Sequence, residues 1–317
     1  MTLEELKKIG PEEFKKMEKE ERENFFKQAD FPIMIQWMAG NDWPDENSPD
    51  VAEAIIEPGK KQTFYLWPEN NMPNYTEYTV NDKNYQDDPG FRPYVTYYPA
   101  AEGINVKGAV MICPGGAFMF RSWIIEGGPV ATELNKLGYQ CFVVGYRCDP
   151  WTQPERGYDL ARAIRFARKN AEILGFDPKN IAVVGFSAGG ILCGETLQNC
   201  SGLVNGTKID PTYVPDTLDT ISADAAAAGM GYSFYGILSH ASVDVEKLAS
   251  SNLPPTYYFH GDGEVFFDEI TKNIQAVNEA GVATDRLVLP GEVHGFGGIN
   301  TDWFAGFDAF MMKAFES

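Results

Sequence analysis

Residues 181–190 read IAVVGFSAGG, and the fold turns on how that run ends. Ile181 to Val184 is short, partly β-branched and apolar without alternation, as a strand buried on both faces would be. Gly185-Phe186-Ser187-Ala188-Gly189 follows, and GILCGETLQNC (190–200) can continue as a helix. A serine at a sharp strand-to-helix junction takes a strained backbone conformation, which forces the residues two positions to either side into close approach. Glycine at both of those positions removes the Cβ atoms that would collide. A glycine-rich helix start that packs closely or binds a phosphate has the same local pattern, so the rest of the chain must decide.

The chain has 317 residues, enough for one large domain or two small ones. Hydrophobic residues make up 44% and aromatics 13%, which supports a substantial core and excludes a disordered protein. A net charge of −19 repels nucleic acid and anionic membrane surfaces and leaves neutral or cationic partners. The N-terminus MTLEELKKIGPEEFKKMEKEEREN lacks the apolar segment of a secretory signal, and no apolar run reaches the ~18 residues of a membrane span. Five cysteines, an odd number without metal-type spacing, read as reduced core residues of a cytoplasmic protein. No metal or cofactor is expected, and a homo-oligomer is left open.

Residues 1–62 read as a charged helical extension, either a cap or a subunit contact. Thr2 and Glu5 form a predicted capping box, and Pro11 opens a second helix reaching about Gln28. From residue 63 to 317 the texture is that of one domain. TFYLWP, YTEYTV and PYVTYYP have the aromatic, β-branched alternation of antiparallel strands. Beyond Val106 strands alternate with helices, which implies a mostly parallel sheet covered on both faces. In the helix YDLARAIRFARKNAEILG, the residues Leu160, Ile164, Ala167, Ala171 and Leu174 form one apolar stripe.

A serine hydroxyl needs a general base, usually histidine, and this chain has three. His294 lies in LPGEVHGFGG, directly after the last predicted strand. His260 ends the strand PTYYFH, where it is expected to fix the strand end by hydrogen bonding, and His240 follows another strand. Between Ser187 and His294, past a strand end, FHGDGEVFFDE offers four carboxylates as a candidate acid. Glu264, past the turn, is preferred over Asp262, whose competing role is to cap that turn. Asp268 and Glu269 suit the first turn of the next helix. Donors for a developing oxyanion are expected from the N–H groups of Gly116, Ala117 and Ala188, since MICPGGAF places small residues just after a strand.

From about Val106 onward the chain resembles the α/β-hydrolases of the esterase and lipase group, close to bacterial acetyl esterases and acetylxylan esterase-like proteins. The segments AVMICPGGAF, YDLARAIRFARKNAEILGFDPKNIAVVGFSAGG, HGDGEVFFDE and EVHGFG carry the resemblance. The family's His-Gly-Gly-Gly turn is here Pro114-Gly115-Gly116-Ala117, and its usual Asp falls on Glu264, a carboxylate one methylene longer. The fold implied is a mostly parallel central sheet with helices on both faces and an antiparallel N-terminal edge. The activity implied is serine ester hydrolysis through Ser187, His294 and Glu264.

The substrate expected is a small-molecule ester with a short acyl group, above all the acetyl ester of a small carbohydrate such as an acetylated oligosaccharide. Phe118, Trp123 and Phe266 are candidate substrate contacts: Phe118 and Phe266 to narrow the acyl site, Trp123 to stack on a sugar ring. General short-chain carboxylesterase and feruloyl-type esterase are the alternatives. A serine peptidase of this fold would need a propeller that about 100 residues cannot build, and a non-catalytic binding protein would typically lack a triad member.

Overall fold

The computed structural model describes residues 8–9, 11–28, 31–40, 43–45 and 47–316. Its N-terminal helices are α1 (Pro11–Lys16), α2 (Lys19–Gln28) and α3 (Phe31–Met38). The main chain then runs β1 (Gln62–Tyr65), β2 (Tyr94–Tyr98), β3 (Gly108–Cys113), α4 (Trp123–Glu126), α5 (Gly128–Lys136), β4 (Tyr139–Gly145), α6 (Gln153–Lys169), α7 (Ala171–Leu174) and β5 (Ile181–Phe186). It continues through α8 (Ala188–Asn199), β6 (Ala227–Gly231), a small hairpin of β7 (Gly236–Ile237) and β8 (His240–Ala241), α9 (Val245–Ser250), β9 (Thr256–Gly261), α10 (Phe267–Glu279), β10 (Thr284–Leu289) and α11 (Trp303–Phe315).

Eight strands form one sheet in the order β1-β2-β4-β3-β5-β6-β9-β10. Pairing is antiparallel only at the N-terminal edge, between β1 and β2 and between β2 and β4. All other pairs are parallel, so β3, β5, β6, β9 and β10 end on the same edge. Every residue of β3, β4, β5, β6 and β9 is buried, which is why these strands show apolar runs and no alternation. The side chains still alternate between faces. Ile181 and Val183 join the core with Leu160, Ile164 and Leu192, while Ala182, Val184 and Phe186 face Val130, Leu134, Trp303 and Phe307. Trp303 stacks on Phe259 with ring centroids 4.3 Å apart.

Helix α6 departs from the simple amphipathic reading. The whole predicted stripe is buried, but so are Arg156, Arg162 and Arg165. Two segments cover the helix and take the charges of Arg162 and Arg165. Arg162 pairs with Asp216 and donates to Leu66 O, while Arg165 donates to Ile221 O and Val204 O. Asp159 likewise holds Arg147, with both side chains fully buried. Asn170 ends α6, so the predicted single helix through Leu174 is two.

Two further expectations change. YTEYTV (75–80) is no strand: the N–H groups of Tyr75 and Thr76 donate to the Glu155 carboxylate, so this backbone finds its partner without a sheet. The helix expected from Pro11 to Gln28 breaks at Met17 and Glu18, where Glu18 N donates to Glu21 Oε2 and starts α2. Thr2 and Glu5 lie outside the described residues. The N-terminal helices close a small core of Phe14, Phe25 and Trp37 against Ile125 of α4. All five cysteines are free and buried. No helix among the described residues is long and apolar enough to cross a membrane.

Candidate active site

Parallel register brings the site together at the carboxyl ends of the strands. Cys113 of β3 pairs with Gly185 of β5, so the Pro114–Ala117 turn emerges beside Ser187. Leu289 of β10 pairs with Gly261 of β9, so the loops bearing Glu264 and His294 emerge side by side.

Ser187 sits between β5 and α8 at φ 51° and ψ −121°, a region that residues with side chains seldom enter. A Cβ on Gly185 would stand 2.2 Å from Gly189 O, and one on Gly189 would stand 2.0 Å from Cys113 O. Only glycine fits either position. Ser187 N donates to Gly231 O and Ser233 Oγ donates to Ser187 O at 2.7 Å, so neighbouring β6 holds the strained turn.

Ser187 Oγ lies 2.8 Å from His294 Nε2, and His294 Nδ1 lies 2.8 Å from Glu264 Oε1. A carboxylate can only accept, so Nδ1 carries the proton and Nε2 accepts from the serine hydroxyl. Glu264 Oε1 also accepts from Phe266 N at 3.0 Å, whereas its buried Oε2 has no partner among the described residues. Asp262 Oδ1 takes Gly291 N–H, which ties the two loops together, and Asp268 and Glu269 lie in the first turn of α10. His260 is buried and kept neutral: burial holds its imidazole below the ordinary range. Its Nδ1–H donates to Gly261 O, and its Nε2 accepts from Arg286. His240 is exposed on the β7–β8 hairpin.

The turn after β3 is unusual in its backbone. Gly116, Ala117 and Phe118 have φ of 128°, 53° and 61° in succession. The turn is braced by Tyr146 OH donating to Pro114 O, by Met119 N donating to Gly116 O, and by Asp149 N donating to Phe118 O. Gly115 N–H is taken by Glu126 Oε2 at 2.6 Å. Among the described residues, the N–H groups of Gly116, Ala117 and Ala188 have no protein acceptor. They are the donors free to meet a ligand.

The candidate substrate contacts separate. Phe266 is half-buried, with its ring 5.6 Å from that of His294. Phe118 is buried in the core beside Tyr146, with Arg156 over its ring at 4.2 Å. Trp123 is 3% exposed, packed on Tyr94 and against Gly40, so no face is open for a sugar to stack on. The aromatic that adjoins the turn after β3 in sequence points into the core because it begins α4.

Sequence reasoning passed over Glu126 and Tyr232. Glu126 is buried, and burial pushes its carboxyl up while hydrogen bonds from Tyr232 OH and Gly115 N pull it back. Tyr232 also accepts from Gly297 N, and its ring meets His294 edge-on at 4.8 Å. One carboxylate therefore links the turn after β3 to the His294 loop. Its lone charge inside the apolar SWIIEGG was the available signal. Glu126→Ala is expected to destabilise the fold by about 2–4 kcal/mol, because it strands two buried polar groups. Glu126→Gln, which can still accept from Gly115 and donate toward Tyr232, should cost less than half as much. Thermal denaturation of both variants checks this, and an unchanged melting temperature in Glu126→Ala would refute it.

The chain is similar to known proteins. The BD-FAE family model matches residues 96–219. Esterase LipC of Mycobacterium tuberculosis is 30% identical over 222 residues, covering 59% of this chain and 52% of the relative. An acetylxylan esterase of Xylanibacter ruminicola is 24% identical over 202 residues, covering 60% of this chain and 41% of the relative. The chain thus spans about half or less of these curated relatives. The solved acetyl ester-xyloside bifunctional hydrolase of Caldicellulosiruptor lactoaceticus superposes with a TM-score of 0.58 at 23% identity, over 86% of this chain and 98% of the other. At that identity the likeness shows the fold, and the fold is that of the α/β-hydrolases.

Proposed function

We propose that this α/β-hydrolase is a serine carboxylic ester hydrolase acting on short acyl, above all acetyl, esters of small carbohydrates. The observation that carries the reading is the chain of two 2.8 Å contacts from Ser187 through His294 to Glu264, set at a strained strand–helix turn. Ser187 Oγ attacks the ester carbonyl as His294 Nε2 takes its proton, and Glu264 stabilises the imidazolium. The N–H groups of Gly116, Ala117 and Ala188 meet the oxyanion. His294 then protonates the departing alkoxide and activates the water that hydrolyses the acyl-enzyme. Support for acetylated carbohydrates comes from the names of the relatives, an acetylxylan esterase and an acetyl ester-xyloside hydrolase.

Phe266, half-buried beside His294, supports a narrow acyl site. On aryl esters, kcat/KM is expected to fall once the acyl chain exceeds about four carbons, with octanoate at least ~10-fold below acetate, since steric exclusion acts at the transition state. Octanoate hydrolysed faster than acetate would overturn the narrow site. A general short-chain carboxylesterase is the second reading, favoured by Val265 and Val293, which are 76% and 51% exposed directly beside Glu264 and His294. Purified protein tested on acetylated xylo-oligosaccharides, aryl acetate and feruloyl esters separates the two. Inert acetylated sugars with fast aryl acetate turnover would leave the second.

A further inference from the structure

A cavity of about 680 Å3 opens between α3 and the loop 81–86, with Met119 and Asp149 in its wall. Both wall residues belong to the brace of the oxyanion turn: Met119 N donates to Gly116 O at 2.9 Å, and Asp149 N donates to Phe118 O at 2.7 Å. The cavity therefore adjoins the backbone that presents Gly116 and Ala117. Resting on the esterase reading above, we propose that it holds the sugar portion of a neutral oligosaccharide ester.

The lining supports that class of ligand. Gln36, Asn84 and Gln86 contribute side-chain amides that bond to no described group, so each keeps two donors and an acceptor for a ligand. Asp149 gives one oxygen to Arg156 at 2.5 Å and keeps the other. Sugar hydroxyls, which both donate and accept, match such a set. Pro32, Ile35 and the 46%-exposed Met119 add apolar surface of the kind that packs on the face of a sugar ring. An acyl chain would bury the amides unpaired, and an anion would meet the Asp149 carboxylate on a chain of net charge −19. Lys83 is the one cation among the described lining residues. The loop is also preformed: Asn81 exchanges hydrogen bonds with Tyr85 N and O and donates to Asp88. The volume falls within the roughly 300–1,000 Å3 usual for ligand sites.

The test uses the full chain, with Gln36, Asn84 and Gln86 each changed to Ala, singly and together, and circular dichroism to verify folding. In the first arm, xylo-, cello- and manno-tetraose are titrated calorimetrically into Ser187→Ala with and without the triple change, which requires no turnover. At least one sugar is expected to bind Ser187→Ala, and the triple change to weaken it at least tenfold. In the second arm, the ratio of kcat/KM for an acetylated tetraose to that for aryl acetate is expected to fall at least tenfold, mainly through KM. No sugar bound by Ser187→Ala, or binding and ratio both unchanged by the triple variant, would overturn the proposal. Failure of the unaltered protein to hydrolyse aryl acetate would instead defeat the esterase reading, and the calorimetric arm would still decide the cavity.

Discussion

Ser187→Ala is expected to lower kcat by about 10⁵- to 10⁶-fold on an aryl acetate, the scale on which loss of a triad serine acts. Among the described residues, Ser187 Oγ is the hydroxyl that bonds to His294 Nε2, so its loss removes the group placed to form the acyl-enzyme. A residual rate over water should persist, since the free N–H groups of Gly116, Ala117 and Ala188 and the binding surface remain. The fold should survive. Alanine keeps the backbone at φ 51° with no larger side chain than serine, and among the described residues the Oγ bonds to His294 alone. One half-buried hydrogen bond is worth about 0.5–1.5 kcal/mol, so the melting temperature should move little. The rate of the purified variant decides the matter together with a fluorophosphonate adduct mapped on the unaltered chain. An adduct on any other residue, or a variant within tenfold of the original rate, would remove Ser187 from the mechanism.

The features that could be read from sequence were those where steric or register constraints leave few alternatives. Gly185 and Gly189 are spaced as they are because a Cβ at either would meet backbone within about 2 Å, so the elbow writes itself into composition. The loops of Glu264 and His294 were likewise predictable as neighbours, since each follows a strand and those strands pair in parallel. Partners contributed across long separations left no such mark. Glu126 and Tyr232 are 106 positions apart, and neither has a local pattern that names the other. The buried arginines of α6 look solvent-facing in a periodicity reading, because Asp216 and Leu66 O reach them only once two long segments fold over the helix. Residues 75–80 carry strand-like alternation but meet a side-chain carboxylate where a strand would meet a neighbour. Trp123 shows the same limit from the other side: proximity in sequence to the turn after β3 says nothing of which way a helix turns its ring.

Glu264→Gln is expected to cost roughly 10³-fold in kcat, and the geometry specifies why. Oε1 accepts from both His294 Nδ1 and Phe266 N, so an amide placed there must present its oxygen; presenting its NH2 would set donor against donor. The NH2 then occupies the site of Oε2, which has no partner among the described residues and so offers no bond that would pull the amide the other way. Histidine thus keeps its Nδ1–H tautomer, and what disappears is the negative charge beside the imidazolium formed in the transition state. Two unit charges about 4 Å apart at an effective dielectric of about 20 interact by about 4 kcal/mol, which corresponds to about 10³ in rate. Asp262→Asn should cost less than about threefold, because an amide oxygen can still accept from Gly291 N and nothing in the reaction requires charge at that turn. Parallel measurements of kcat for the two variants, with KM recorded to exclude a binding effect, make the comparison. If Asp262→Asn proves the slower enzyme, or Glu264→Gln stays within tenfold of the original, the carboxylate that supports His294 is not Glu264.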